Sequence, residues 1–280
     1  MRILIDGIPT AESDATISVF DWTVIRGFGV FEVVRSYGGA TFRLGAHLDR
    51  LERSATALGI VPPGRDRLAG WVSDIAAAMG DGQVRVIVTG GGRDPEVAAA
   101  SRTIVMGEPL PEVPERLSVL PTVAPWHPAT DTSGFPGVKW VSYAPNILAT
   151  DRARAAGYSE ALLVTPEGIV LEGPTFTVAW VADGRVETPS LDLGILASIT
   201  REVMRECAVM VGVEVTEGRY SLDRVLAADE VFALSTVKQV RPIDRIGDDE
   251  IGTGPITRSL AGSFAEVVRS ETGHMPPQTP

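Results

Sequence analysis

Three prolines fall within eight residues at Gly107-Glu-Pro-Leu-Pro-Glu-Val-Pro114, and this stretch limits the chain more than any other feature. Proline locks φ and lacks a backbone donor, so neither a helix interior nor a central strand can run through three of them. The stretch reads as a linker. It predicts a small domain over residues 1–114 and a larger one over 115–270. A loose tail is expected over 271–280, where three more prolines gather. At 280 residues the chain is long enough for two packed bodies.

Periodicity fills in the two halves. Ile3–Ile8 and Gly29–Tyr37, rich in Val, Ile and Phe, predict strands. Leu48, Leu51, Ala55 and Leu58 fall at helical spacing and predict a helix over Leu44–Leu58, with a second over Arg67–Met79. Strands are expected at Gln83–Thr89 and Thr103–Gly107. Beyond the linker, strands are predicted at Leu117–Val123, Ala161–Val164, Ile169–Leu171, Val178–Val181 and Asp229–Leu234. Helices are predicted at Asn146–Ala156, Thr200–Val211 and Ile256–Val268. The order is mixed and lacks a steady βαβ alternation, which predicts an α+β fold with much antiparallel pairing rather than a Rossmann sheet.

Composition narrows the function. The formal net charge of -11 disfavours nucleic acid and anionic membranes as partners. The single cysteine, Cys207, excludes an internal disulfide, and His47, His127 and His274 are too scattered for metal-ligand spacing. The N-terminus turns polar too early for a signal peptide, and no apolar run reaches the ~18 residues of a membrane span. A cytoplasmic location is the simplest expectation.

Candidate chemistry begins with lysine, of which there are only two, Lys139 and Lys238. Lys139 lies in Phe135-Pro-Gly-Val-Lys-Trp-Val-Ser-Tyr143. A lysine in a dry setting can act as a nucleophilic amine; the competing reading is a side chain that snorkels to the surface. Glu172, in Gly168-Ile-Val-Leu-Glu-Gly-Pro174, stands where a strand meets a turn and suits pairing with a protonated ring nitrogen, or is an ordinary turn glutamate. Ile199-Thr-Arg-Glu202 opens a helix whose free N–H groups favour phosphate. Ser235-Thr-Val237 follows a strand, and Arg50 offers a positive partner for phosphate. Taken singly, these read more simply as a cap, a strand end and a solvated helix face.

Together they say more. Gly27-Phe-Gly-Val-Phe-Glu32, His47-Leu-Asp-Arg-Leu51, Lys139-Trp-Val-Ser-Tyr143, Gly168-Ile-Val-Leu-Glu-Gly173, Ser198-Ile-Thr-Arg201 and Ala228-Asp-Glu-Val-Phe232 occur in this order. In that order and spacing the chain resembles the class IV aminotransferase family (pyridoxal 5'-phosphate, or PLP, fold type IV) over about residues 20 to 260. That family includes D-amino-acid, branched-chain and (R)-amine transaminases and aminodeoxychorismate lyase. The resemblance implies a small α/β domain, a larger pseudo-barrel domain, a homodimer, and a reaction between an amino donor and a keto acid acceptor.

It also implies roles. Lys139 matches the lysine that holds PLP as a Schiff base and shuttles the proton, and Glu172 the glutamate that pairs with the pyridine nitrogen. Arg50, Ile199, Thr200, Thr236 and Val237 match the phosphate cup. Tyr143 sits where relatives carry a residue near the cofactor's ring oxygen. Phe31, Arg26, Arg85, Arg93 and Trp126 fall at positions suited to substrate contact. Arg26 reads equally as half of an ion pair, Arg93 as a solvated loop residue, and Trp126 as core packing.

Within the family, Gly29-Val-Phe-Glu-Val-Val-Arg-Ser-Tyr-Gly-Gly39 looks most like the D-amino-acid transaminase pattern. Lyases tend to carry a hydroxyl-rich stretch at Glu32-Val33 and a basic residue in place of Tyr143. The expectation is therefore a transaminase for D-amino acids or (R)-amines. An L-branched-chain transaminase or a lyase on the same fold remains open, as does a non-catalytic descendant. The presence of both Lys139 and Glu172 argues against the last of these.

Overall fold

The computed structural model describes residues 2–92, 100–128 and 136–276. Two compact units emerge. The first holds the described residues of Met1–Pro111, Val138–Tyr143 and Val268–Met275. The second holds those of Glu112–Gly137, Ala144–Val267 and Pro276–Pro280. Lys139 thus belongs to the first unit, although it follows the proline-rich stretch in the chain.

The first unit is an antiparallel sheet with two helices on it. Its strands are β1 (Arg2–Ile5), β2 (Ile8–Pro9), β3 (Gly29–Tyr37), β4 (Ala40–Thr41), β5 (Gly82–Thr89) and β6 (Thr103–Glu108), in the order β2-β1-β6-β5-β3-β4. The long β3 pairs with β5 from Gly29↔Thr89 to Ser36↔Gly82. A short helix, α1 (Trp22–Arg26), precedes β3, while α2 (Leu44–Ala57) and α3 (Arg65–Met79) follow β4. The apolar stripe of α2, Leu48, Leu51 and Ala55, meets Val30, Val34, Val84, Val86 and Val88 in one buried cluster. Each fully buried valine or leucine contributes roughly 1.5–3 kcal/mol relative to exposure. The single strand expected over Ile3–Ile8 is instead a hairpin. Asp6 and Gly7 both take positive φ, 53° and 83°, and an Asp-Gly pair with two positive φ values makes the tight turn that twisted strands favour.

The second unit is built on an eight-stranded mixed sheet. It contains β7 (Leu117–Val123), β8 (Glu160–Val164), β9 (Thr177–Ala182), β10 (Arg185–Pro189), β11 (Val215–Gly218), β12 (Glu230–Ser235), β13 (Gln239–Ile246) and β14 (Asp249–Glu250). The order is β11-β10-β9-β12-β13-β7-β8, with β14 beside β13. β7 runs parallel to both β8 and β13, and β10 parallel to β11; β9, β12 and β13 pair antiparallel. The helices are α4 (Ala144–Ala155), α5 (Ile199–Val211), α6 (Leu222–Leu226) and α7 (Pro255–Thr272), the last of which belongs to this unit as far as Val267. The mixed order expected from the sequence is present. The strand expected over Ile169–Leu171 is not: that segment makes only isolated bridges, Val164↔Val170 and Ile169↔Ser221, because the chain turns at once into residues 173–176. β13 went unseen in the sequence because Pro242, Arg241 and Asp244 interrupt its alternation. No helix among the described residues is long and apolar enough to cross a membrane.

Candidate active site

Alternation along β3 puts Val30, Glu32 and Val34 on one face, all with no exposed surface, so a carboxylate stands between two core valines. Such a group needs partners. α2 supplies them from the flank of its apolar stripe, where His47, Arg50 and Ser54 recur at helical spacing and are buried. Arg50 donates from Nε to Glu32 Oε1 at 2.6 Å and from Nη2 to Oε2 at 2.9 Å. His47 Nδ1 lies 2.9 Å from Oε2. Burial alone would raise the Glu32 carboxyl; Arg50 and His47 outweigh it and hold the group well below the usual carboxylate range. Burial pushes His47 down, against the pull of Glu32. A neutral ring follows, its Nδ1–H donating to Glu32 Oε2.

Lys139 is brought to the same helix. Residues 138–143 run beside the start of β3: Phe31 N donates to Lys139 O at 3.0 Å and Val141 N to Gly29 O at 2.9 Å. The approach is so close that a Cβ on Gly29 would lie 2.8 Å from Val141 Cγ2, which explains the glycine in this motif. Lys139 N donates to Ser54 Oγ at 3.1 Å, one helical turn from Arg50. Lys139 Nζ sits 4.4 Å from the centroid of the Phe31 ring, and Phe31 meets Tyr143 edge to face at 5.6 Å. Lys139, Phe31, Tyr143 and Arg50 are therefore gathered in the first unit.

The second unit gathers the other candidates. Leu163 and residues 171–172 exchange backbone hydrogen bonds, which place Glu172 beside β8. Its Oε1 lies 3.2 Å from His127 Nε2, and Leu196 N is 3.3 Å from both carboxylate oxygens. Leu196 stands just ahead of α5. There Ser198 caps the helix, its Oγ accepting from Arg201 N at 3.2 Å. The N–H groups of Ile199 and Thr200 have no intrahelical acceptor, as at every helix start. Arg201 fastens this end of α5: fully buried, it pairs with Glu217 at 2.6 Å and donates to Pro189 O at 3.2 Å. Thr236 and Val237 occupy the tight turn between β12 and β13, half-buried.

The expected substrate contacts fare differently. Arg85 is committed in a fork to Glu108, at 2.8 and 2.9 Å, with its guanidinium 6.0 Å from the Phe31 ring. Arg26 is exposed and donates only to its neighbour's carbonyl, Ile25 O, so among the described residues it has no acidic partner. Trp126 is 39% exposed and bonds Asn146, which is not core packing. Arg93 lies outside the described residues. The sequence reading missed Glu32, His47, Ser54 and His127. A signal existed for Glu32, a carboxylate on the Val30/Val34 face of an alternating strand; none existed for Ser54 or His127, whose partners are far along the chain.

Comparison with known proteins supports one assignment. The model of the family described as amino-transferase class IV matches residues 29–246. A putative branched-chain-amino-acid aminotransferase of Methanocaldococcus jannaschii is 32% identical, over 95% of this chain and 96% of that protein. A D-alanine aminotransferase of Listeria innocua is 29% identical, over 98% and 99%. The crystal structure of a branched-chain aminotransferase from Thermoproteus uzoniensis with norvaline superimposes with a TM-score of 0.85 at 29% identity, covering 97% of this chain and 95% of that one. With a family match across most of its length and these relatives aligned end to end, the chain belongs to the class IV aminotransferases, enzymes of PLP fold type IV that use PLP.

Proposed function

We propose that this chain moves an amino group from a D-amino acid or an (R)-amine to a 2-keto acid, with Lys139 binding PLP covalently. One observation carries the reading: a carboxylate, Glu172, is fixed by Leu196 N beside the N-terminal end of α5. This pairing suits a ligand with a basic ring nitrogen and a phosphate.

The donors fit PLP. A phosphate accepts from helix N-terminal N–H groups, from hydroxyls such as those of Thr200 and Thr236, and from a guanidinium such as Arg50. A carboxylate offers about four lone-pair sites, so Glu172 keeps capacity for a ring N–H beside its bonds to His127 and Leu196. When bound, PLP supplies an electron sink for charge developing at the substrate Cα. Glu172 accepts from the ring nitrogen and favours its protonated form. Arg50, Ile199, Thr200, Thr236 and Val237 are the residues that would hold the phosphate. Once the amino donor has displaced it from the cofactor, the freed Lys139 amine would take the proton from the substrate Cα and hold it for return. Phe31 presents its aromatic ring beside that amine, and Tyr143 packs edge-on against Phe31; the Tyr143 hydroxyl is assigned to the cofactor's ring oxygen. Arg26 is assigned to the substrate carboxylate. The working unit is a homodimer, which sedimentation at the mass of two chains would support.

The D-specific reading rests on the β3 sequence and on the D-alanine enzyme aligned along nearly the whole chain. The higher identity of the archaeal relative favours L-branched-chain amino acids as the second reading. Single half-reactions separate them. D-alanine should change the visible absorbance of the yellow protein, and L-leucine should not; the reverse result installs the second reading. Lys139→Ala should abolish the band. Purified protein that stays colourless with added PLP would refute both.

A further inference from the structure

Lys238, the second of the chain's two lysines, stands immediately after Thr236 and Val237 in the β12–β13 turn. Its ammonium does not reach into open solvent. Nζ pairs with Glu160 Oε2 at 2.9 Å and donates to Thr175 Oγ1, and Thr175 Oγ1 donates in turn to Glu160 Oε1 at 2.7 Å. The side chains of Lys238 and Glu160 are 13% and 5% exposed. The triangle is closed: each member bonds both others.

Its corners belong to three different segments. Glu160 starts β8, whose Leu163 bonds the backbone of Glu172. Thr175 lies in the turn of residues 173–176 that follows Glu172, closed by Gly173 N donating to Phe176 O at 2.8 Å. The Phe176 ring lies over that turn so tightly that a Cβ on Gly173 would clash with Phe176 Cε1. Lys238 Nζ is in turn 5.6 Å from the Phe176 ring centroid. At the other end, Lys238 N donates to Ser235 Oγ at 3.0 Å and fixes the turn from within. A single side chain thus joins the turn bearing Thr236 and Val237 to the turn that follows Glu172.

We infer that Lys238 is a positioning residue: with Glu160 and Thr175 it clamps these two turns together and sets the distance between the groups that hold the cofactor's phosphate and its ring nitrogen. The inference rests on the cofactor roles proposed above. It differs from a direct phosphate contact by Lys238, because the ammonium is already neutralised by Glu160. A PLP molecule grips both ends only where their spacing matches its length, so loosening the clamp weakens PLP more than pyridoxal, which lacks the phosphate.

The test compares wild-type holoenzyme with Lys238→Met, Glu160→Gln and Thr175→Val. The readouts are the rate of PLP release into excess inorganic phosphate, the 31P NMR line of bound PLP, and the affinity of the resolved protein for PLP and for pyridoxal. Thr175 is exposed, so its substitution leaves a folded variant to measure even where the other two disturb folding. The expected result is about tenfold faster PLP release in each variant, a broadened 31P line, pyridoxal affinity within about twofold of wild type, and no further loss in the Lys238→Met/Glu160→Gln pair. Lys238→Arg should restore part of the affinity. If only Lys238→Met loses affinity while Glu160→Gln and Thr175→Val match wild type, Lys238 contacts phosphate directly and the clamp is overturned. Wild-type release rates in all three variants overturn it as well. Wild-type protein that binds no PLP overturns the proposed function first, and the clamp with it.

Discussion

Glutamine in place of Glu32 keeps the side chain's shape and removes its charge, which isolates the ion pair beneath β3. Glu32 has no exposed surface and Arg50 is 5% exposed. In the cofactor-free variant, a guanidinium that was held at 2.6 and 2.9 Å by two carboxylate oxygens stays buried without its counter-charge. Breaking one side of a buried pair costs about 3–5 kcal/mol, a large share of the ~5–15 kcal/mol that holds a typical fold. A fall in Tm on the order of 10 °C is expected at pH 7.

The pH dependence gives a second, independent reading. Glu32 titrates near 4.5 when unfolded and well below that when folded. The unfolded chain therefore binds this proton first. The stabilisation is fully present above pH 4.5 and is lost as the pH falls toward the folded value, with a slope of up to about 1.4 kcal/mol per pH unit. His47, also lowered by burial from 6.5, acts with the same sign: its share is present above pH 6.5 and lost as the pH falls through its folded value. Urea unfolding of wild type and Glu32→Gln at pH 7, 5 and 4 measures both effects. The variant should be less stable at pH 7 and lose less on acidification below 4.5. A variant within about 1 kcal/mol of wild type at pH 7, with the same acid slope, would refute the argument that this guanidinium needs this carboxylate.

Three further substitutions probe the ligand side. His127→Phe deprives Glu172 of its neighbour at 3.2 Å and should weaken PLP binding about fivefold, roughly 1 kcal/mol, in a titration of the resolved protein; unchanged affinity would reduce His127 to packing. Arg26→Ala should raise KM for the amino donor with little change in kcat, whereas Arg85→Met should leave KM within about twofold because Glu108 already holds that guanidinium. Steady-state kinetics giving the opposite ranking would exchange the two assignments.

Much of this molecule is written locally. The valine alternation of β3, the spacing of Leu48, Leu51 and Ala55 on α2, and the Ser198 cap ahead of α5 each show themselves within a few residues, because a strand or helix repeats its buried face at short range. The motifs around Lys139, Glu172 and Ser198-Ile-Thr-Arg201 carry the family for the same reason: they are contiguous. β13 did not read as a strand because its burial is set by β7 and β12 on either side, not by its own pattern.

The amino-acid order by itself determined the longer helices, the strands with unbroken alternation and the identity of the chemical groups. Tertiary structure alone decided that residues 138–143 return to lie beside β3, that Glu32 takes Arg50 and His47 as partners, that Arg85 is spent on Glu108, and that Lys238 bridges two turns. Those outcomes join residues tens of positions apart. They depend on which surfaces meet once the sheets have formed, and no window of neighbouring residues records which partner a buried charge will find.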